Sequence, residues 1–240
     1  MKNPFIYIAL AALTLTACKK DDPAEVEQEV SDIAVQNSND DAAILKYLND
    51  HYFDTQGNVK AFTDATTDDN FTKLADLPYD KLPSGVIVLK RAGAQPDPGT
   101  TIGNTDIIRI MLKSNGFLSK TENNAVNYTS MITFTNTVES TGLPLVDPNF
   151  YYVKEKTMTS SNKGRSYYEI EGFQEGLRLF KSYDKPDAEG YAMQGLILVP
   201  SRAAFARDEH YGYNLTSWRN RNFVFNFQVY KSTPRPADQQ

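Results

Sequence analysis

Hydrophobic alternation is clearest near the end of the chain. In Asn222-Phe223-Val224-Phe225-Asn226-Phe227-Gln228-Val229-Tyr230, one face carries Phe223, Phe225, Phe227 and Val229. The other carries Val224, Asn226, Gln228 and Tyr230, so the period of two predicts a half-buried strand. Residues 194–206 contain an apolar run of strand length, halted by Pro200 and followed by a tight turn of small residues. Before it, Tyr167-Tyr168-Glu169-Ile170-Glu171-Gly172-Phe173-Gln174-Glu175-Gly176-Leu177 reads as a strand end turning through Gly172 into a short helix. The apolar side of that helix is Phe173, Leu177 and Phe180. These pieces predict an α+β fold, an antiparallel sheet curled around one short helix.

The rest of the chain fills in around this unit. An N-cap cluster at Asn39-Asp40-Asp41 is followed by Ile44, Leu45, Leu48 and Tyr52 at helical spacing, a helix of about three turns. Such a helix is too short to stand alone. Its apolar stripe must dock, either on the main domain or on a partner protein. His51, near its end, reads as an ordinary helix-terminal or surface histidine. Residues 54–80 are rich in Thr, Asp and Asn and read as a loop with one turn at 71–77. Leu82-Pro83-Ser84-Gly85 opens a strand through Leu89, residues 92–103 form a turn-rich link, and 106–112 is a strand alternating Ile108, Ile110 and Leu112. Between 113 and 145 lies an alternating strand, Tyr128 to Thr135. Residues 149–157 read as a further strand, 160–165 as a polar turn, and 232–240, with two prolines, as a disordered tail.

At 240 residues, 40% hydrophobic and 12% aromatic, the chain can build one substantial core, or one core plus a small extension. A net charge of −5 and the lack of a basic stripe argue against nucleic acid as a partner; Arg219 and Arg221 are too few. With only two histidines, and no Cys, His and carboxylate cluster at ligand spacing, neither a metal site, another cofactor nor a Ser-His-Asp triad is expected.

The single cysteine changes the address. Lys2 gives a positive start, residues 4–17 are apolar but too few to span a bilayer, and Leu15-Thr16-Ala17-Cys18 closes the run. This is the pattern of a signal peptide, and its last four residues match the lipobox of bacterial lipoproteins. Cys18 is then the lipid attachment site and the mature N-terminus, joined to the domain by an acidic, flexible tether. Lys19-Lys20-Asp21-Asp22 follows. It resembles the export signal that sends some lipoproteins to the outer face of the outer membrane. Cell-surface display is preferred to the periplasmic face, where the run is only a solvated tether.

Three motifs carry a family resemblance. Ile170-Glu171-Gly172-Phe173-Gln174-Glu175-Gly176-Leu177 resembles the Val-Ile-x-Gly-Trp-x-Glu-Gly segment of FKBP-type peptidyl-prolyl isomerases. Val199 to Ala206 resembles their Ile-Pro-Pro-x-x-Ala-Tyr-Gly turn, and Phe223 to Val229 their last strand. The resemblance covers residues 84–231 and is good in the second half of that span. It implies an FKBP-like domain at 84–231, preceded by a signal peptide at 1–17, an acylated tether at 18–39 and a helical extension at 40–83, with a tail at 232–240.

Carried over by position, Phe173 matches the aromatic floor of the family's pocket and Ile170 the residue whose backbone N–H receives the substrate carbonyl. Phe205 matches a rim Tyr, Phe225 a pocket wall, and Asp147, of the Val146-Asp147 pair, the rim carboxylate. Phe173 lacks the indole of the usual Trp and Phe205 lacks the hydroxyl. Where the family has a second Tyr, this chain has Ile110, or Phe134 in an alternative alignment.

Prolyl isomerisation crosses a barrier of ~18–20 kcal/mol and needs no nucleophile. A dry apolar bowl with a hydrogen-bond donor for the twisted amide is enough. The resemblance thus implies a prolyl isomerase assisting folding of exported or outer-membrane proteins. The rival implication is a catalytically degenerate accessory subunit of an outer-membrane assembly that acts by binding. Its partners are prolyl-containing clients in the first case and subunits of the complex in the second. The loop with His210, Tyr211, Tyr213 and Trp218 either presents aromatic anchors to a partner or folds back on its own core.

Overall fold

The computed structural model describes residues 32–240. The signal peptide, Cys18 and the Lys-Lys-Asp-Asp run lie outside the described residues. In chain order the elements are α1 (Ile33–Asp50), β1 (His51–Phe53), β2 (Val59–Ala61), β3 (Asp80–Lys81), β4 (Ile87–Lys90), β5 (Thr100–Thr101), β6 (Ile107–Glu122) and β7 (Ala125–Asn136). Then come β8 (Leu145–Val146), α2 (Glu155–Ser161), α3 (Glu171–Leu177), β9 (Lys181–Ser182), β10 (Gly195–Val199) and β11 (Arg221–Thr233). The main sheet runs β3-β4-β10-β11-β6-β7, and β8 pairs with the start of β6. Every pairing in it is antiparallel. The fold is α+β, as the pattern predicts.

Both faces of this sheet are covered. Strands β4 and β10 are apolar at nearly every position, which suits burial on two sides. On one face Val86, Val88, Ile197, Val199, Phe223, Phe225 and Phe227 pack with Phe173 and Leu177 of α3. On the other, Ile87, Leu89, Leu196, Leu198 and Val224 pack with Ala43, Ile44, Tyr47 and Leu48 of α1. Strand β11 is therefore not half-buried. Its polar positions are inside and individually bonded. Asn226 donates to the Gly57 and Gly195 carbonyls at 3.0 and 3.1 Å, and Gln228 accepts from the Ala192 N–H at 2.9 Å. Alternation cannot separate a solvated polar face from one paid for in internal hydrogen bonds.

Helix α1 docks on the domain's own sheet. It starts earlier than the pattern predicts: Asp32 is the N-cap, its carboxylate accepting from the N–H groups of Ala34 (2.7 Å) and Val35 (3.4 Å). Residues 33–39 are helical, not tether. The buried stripe is Gln36, Asp40, Ala43, Ile44, Tyr47 and Leu48, whereas Leu45 is exposed and Tyr52 belongs to β1. Two of the first three stripe positions are polar, so an apolar pattern appears only halfway along. His51 is buried, stacked on Tyr47 at 3.7 Å, and burial holds its imidazole below the ordinary value.

Three further expectations are corrected. Within residues 54–80, read as loop, β2 pairs with β1 as a hairpin. Residues 149–157 form no strand: Phe150 to Val153 are buried in an irregular segment that leads into α2. The Val153 N–H donates to the Glu169 carboxylate at 2.8 Å, so a side chain replaces the ladder bond that alternation predicts. The segment after 231 is ordered. Strand β11 continues through Thr233, Arg235 is buried, and a 3-10 turn spans Ala237–Gln239.

Helix α3 explains the glycines of its motif. A Cβ on Gly172 would lie 2.5 Å from Val199 Cγ1 and 2.9 Å from the Ala203 carbonyl oxygen, and one on Gly176 would lie 2.8 Å from Ile197. Only hydrogen fits where this helix meets the sheet. The strand end expected before α3 is a 3-10 turn, Arg165–Tyr167, with Ile170 as the helix N-cap.

Candidate functional site

Four of the five predicted site residues meet in one core. Phe173 projects from the first turn of α3 against Phe225 of β11, ring centroids 4.4 Å apart, and Ile170 joins the same cluster. Phe205, on the turn after β10, reaches it through Phe223, at 6.1 Å. Asp147 lies outside the ring cluster, on the connection after β8, with φ +52°. Its carboxylate accepts from both Arg235 Nη atoms (Nη1 at 2.9 Å) and pairs with Lys154 at 3.3 Å. Burial works to raise this carboxyl, but Arg235 and Lys154 outweigh it and hold the group below the ordinary carboxylate range.

The bowl formed by these residues is full. Phe150 sits against Phe173 at 5.7 Å, Phe225 at 6.1 Å and Phe134 at 5.2 Å. Tyr213 closes above it, 5.2 Å from Phe134, its hydroxyl donating to the Tyr168 carbonyl at 2.9 Å. Ile170, Phe173 and Phe225 are all at 0% exposure. The expected donor is also occupied: the Ile170 N–H bonds the Phe150 carbonyl at 2.9 Å. In this arrangement the site residues act as core.

The aromatic loop folds back. Trp218 is buried, lying on Phe134 and Phe223 and on Gly116, where a Cβ would come within 2.8 Å of the indole. Its indole N–H donates to the Tyr213 carbonyl at 2.8 Å, and its backbone N–H donates to His210 Nε2 at 2.9 Å. Ile110 and Phe134, the two alternatives for one position, both enter the core, and Phe134 alone of the two makes ring contacts there.

Elsewhere a cleft of about 630 Å³ lies between β6, β11 and the 184–187 loop, lined by Arg109, Lys185, Lys231, Asp184 and Asp187. Its cations are all paired: Arg109 with Asp187 and Lys231 with Asp184 (2.8 Å) inside the cleft, and Lys185 with Glu189 (3.3 Å) outside its lining. Among the described residues no group of three or more His, Cys, Asp or Glu side chains is placed to hold a metal. None of their helices is long and apolar enough to cross a membrane.

Sequence reasoning missed two residues that shape the site, and a third that secures α1 on the other face of the sheet. Phe150 fills the bowl, and its signal was an aromatic run beside the Asp147 position. Arg235 seizes Asp147 from a segment read as tail; two flanking prolines were the only cue. Asp40, read as a cap, is a wholly buried carboxylate accepting from Gln36 (2.8 Å), Ser119 (2.8 Å), Asn222 (3.1 Å) and Ser201. No protein-family model matches this sequence, and no curated protein does.

Proposed function

We propose that this chain is a lipid-anchored envelope protein whose FKBP-like domain works by binding, as an accessory subunit of an outer-membrane assembly. The likeness rests on the three motifs at 170–177, 199–206 and 223–229, and on an antiparallel sheet wrapped on a short helix at the expected positions. The observation that carries the binding role is the occupied bowl: Phe150 supplies both the ring that fills it and the carbonyl that takes the Ile170 N–H. Isomerisation asks for an apolar cavity and a free donor, and the closed arrangement offers neither. The missing hydroxyl at Phe205 points the same way. Attachment through Cys18 and display on the outer face of the outer membrane complete the reading.

The test has two arms. A protease-coupled assay on a prolyl peptide is expected to give no rate above the uncatalysed one, and gentle solubilisation of membranes is expected to bring down defined outer-membrane proteins with the chain. Turnover that scales with enzyme concentration, from a chain purified free of partners, would sink the binding reading in favour of catalysis.

A further inference from the structure

The segment that plugs the bowl is bonded by Gln174, Glu169 and Arg165 on its later side, and one residue from the C-terminal end, Arg235, touches it on both sides of Phe150. Residues 147–153 belong to no strand; besides the Asp147 N–H bond to the Ile108 carbonyl, the turn bonds onto the Pro148 carbonyl and the Ile170 N–H bond to the Phe150 carbonyl, side chains hold them. Arg235 contributes a side chain with 0% exposure, and each nitrogen of its fork is used. Its Nε donates to the Thr105 carbonyl at 2.9 Å and its two Nη atoms grip both oxygens of Asp147. The same guanidinium lies 4.2 Å from the centre of the Tyr152 ring, whose other neighbour is Arg165 at 4.6 Å. Asp147 and Tyr152 bracket Phe150. Pro234 and Pro236 flank Arg235, which limits the backbone freedom lost when the latch closes.

We propose that Arg235 is a latch that keeps Phe150 in the bowl, so that the C-terminal segment controls an otherwise hidden site for an extended apolar peptide. This rests on the FKBP-like binding reading above. The coupling is geometric. Withdrawal of Phe150 would open a floor of Phe173 and Phe225 and free the Ile170 N–H to donate to a peptide carbonyl, the apolar side chain of the peptide taking the place of the Phe150 ring. Ligand and plug compete for the same volume and the same donor. The apparent affinity is then the intrinsic affinity reduced by the fraction of molecules whose latch is open. Asp147, in a left-handed backbone conformation, serves the latch as its counter-charge.

Amide hydrogen exchange on the full chain reads the latch directly, because the Ile170 N–H is protected by the plug and by no helical bond. Arg235→Ala is expected to speed exchange at Ile170 by about tenfold or more and to tighten binding of an Ala-Leu-Pro-Phe peptide by a similar factor, while the amides of β10 and β11 stay protected. Arg235→Lys, which keeps the charge but not the fork, should fall between. In Phe150→Ala the peptide should bind without the latch mutation, and adding Arg235→Ala should change little.

Unchanged Ile170 exchange in a folded Arg235→Ala chain overturns the proposal. If that variant does not fold, Asp147→Asn gives the same readout with a smaller change. Global unfolding of both variants also overturns it, since a latch must open on a standing domain. Prolyl turnover by the wild type would remove the binding-only function and leave the Ile170 result to decide the latch by itself.

Discussion

At position 205 a ring without a hydroxyl is wedged between His210, Tyr213 and Phe223, with centroids 4.8, 6.2 and 6.1 Å away. The resemblance places a Tyr there, and the difference of one oxygen separates an enzyme's rim from a core wall. At 2% exposure, a new hydroxyl enters a shell of rings rather than water. A buried hydroxyl left without a partner costs ~1–3 kcal/mol. For a chain of this length each kcal/mol lowers the melting temperature by roughly 2–4 °C. Phe205→Tyr is therefore expected to melt earlier by calorimetry and to gain no prolyl turnover. An unchanged melting temperature together with new activity would mean that the ring borders an open site, contrary to the filled bowl. The same contrast applies to Ile170, whose backbone matters here and whose side chain merely packs.

Helix α1 is held by charge as well as by its apolar stripe. Asp40 gathers four donors from α1 itself, β6, β11 and the turn after β10. The next residue, Asp41, pairs with Arg202 of that turn at 2.7 Å and with Lys81 at 3.5 Å. Deleting the buried acceptor strands several donors at once, each costing ~1–3 kcal/mol where water cannot reach. Asp40→Ala is thus expected to lose about 3 kcal/mol or more in urea unfolding, with α1 exchanging its amides before the sheet does. A loss below about 1 kcal/mol would show that the apolar stripe alone holds the helix.

This element also shows what the sequence made legible. Strands β4, β7, β10 and β11 and helix α3 follow from period and punctuation, because alternation, Pro200 and the close-approach glycines act locally. The start of α1 does not, since its first buried positions are Gln36 and Asp40, which bond each other, and the other partners of Asp40 lie 79 to 182 residues away. The bowl residues were legible as a set. Their closure was not, because Phe150 and Arg235 act through contacts that no local pattern encodes.

For the whole molecule the proposed membrane attachment is the property to test. The core is assembled within residues 32–240, from the two faces of one sheet, and Cys18, the proposed lipid site, precedes it in sequence. Each buried methylene of an acyl chain contributes ~0.8 kcal/mol, one chain holds a protein only marginally, and two or more hold it firmly. If Cys18 carries them, Cys18→Ser should move the chain from the membrane pellet to the soluble fraction while its circular dichroism and melting temperature stay those of the wild type. The Lys-Lys-Asp-Asp run adds a second readout. If the run is an export signal, protease added outside intact cells is expected to degrade the wild-type domain and to spare a chain with Asp21→Ala and Asp22→Ala, in which Cys18 is kept and the signal is lost. Protection of both forms would put the domain on the periplasmic face. A Cys18→Ser chain that still sediments with membranes, even after a high-salt wash, would mean that the domain binds the envelope through its own surface and not through a lipid.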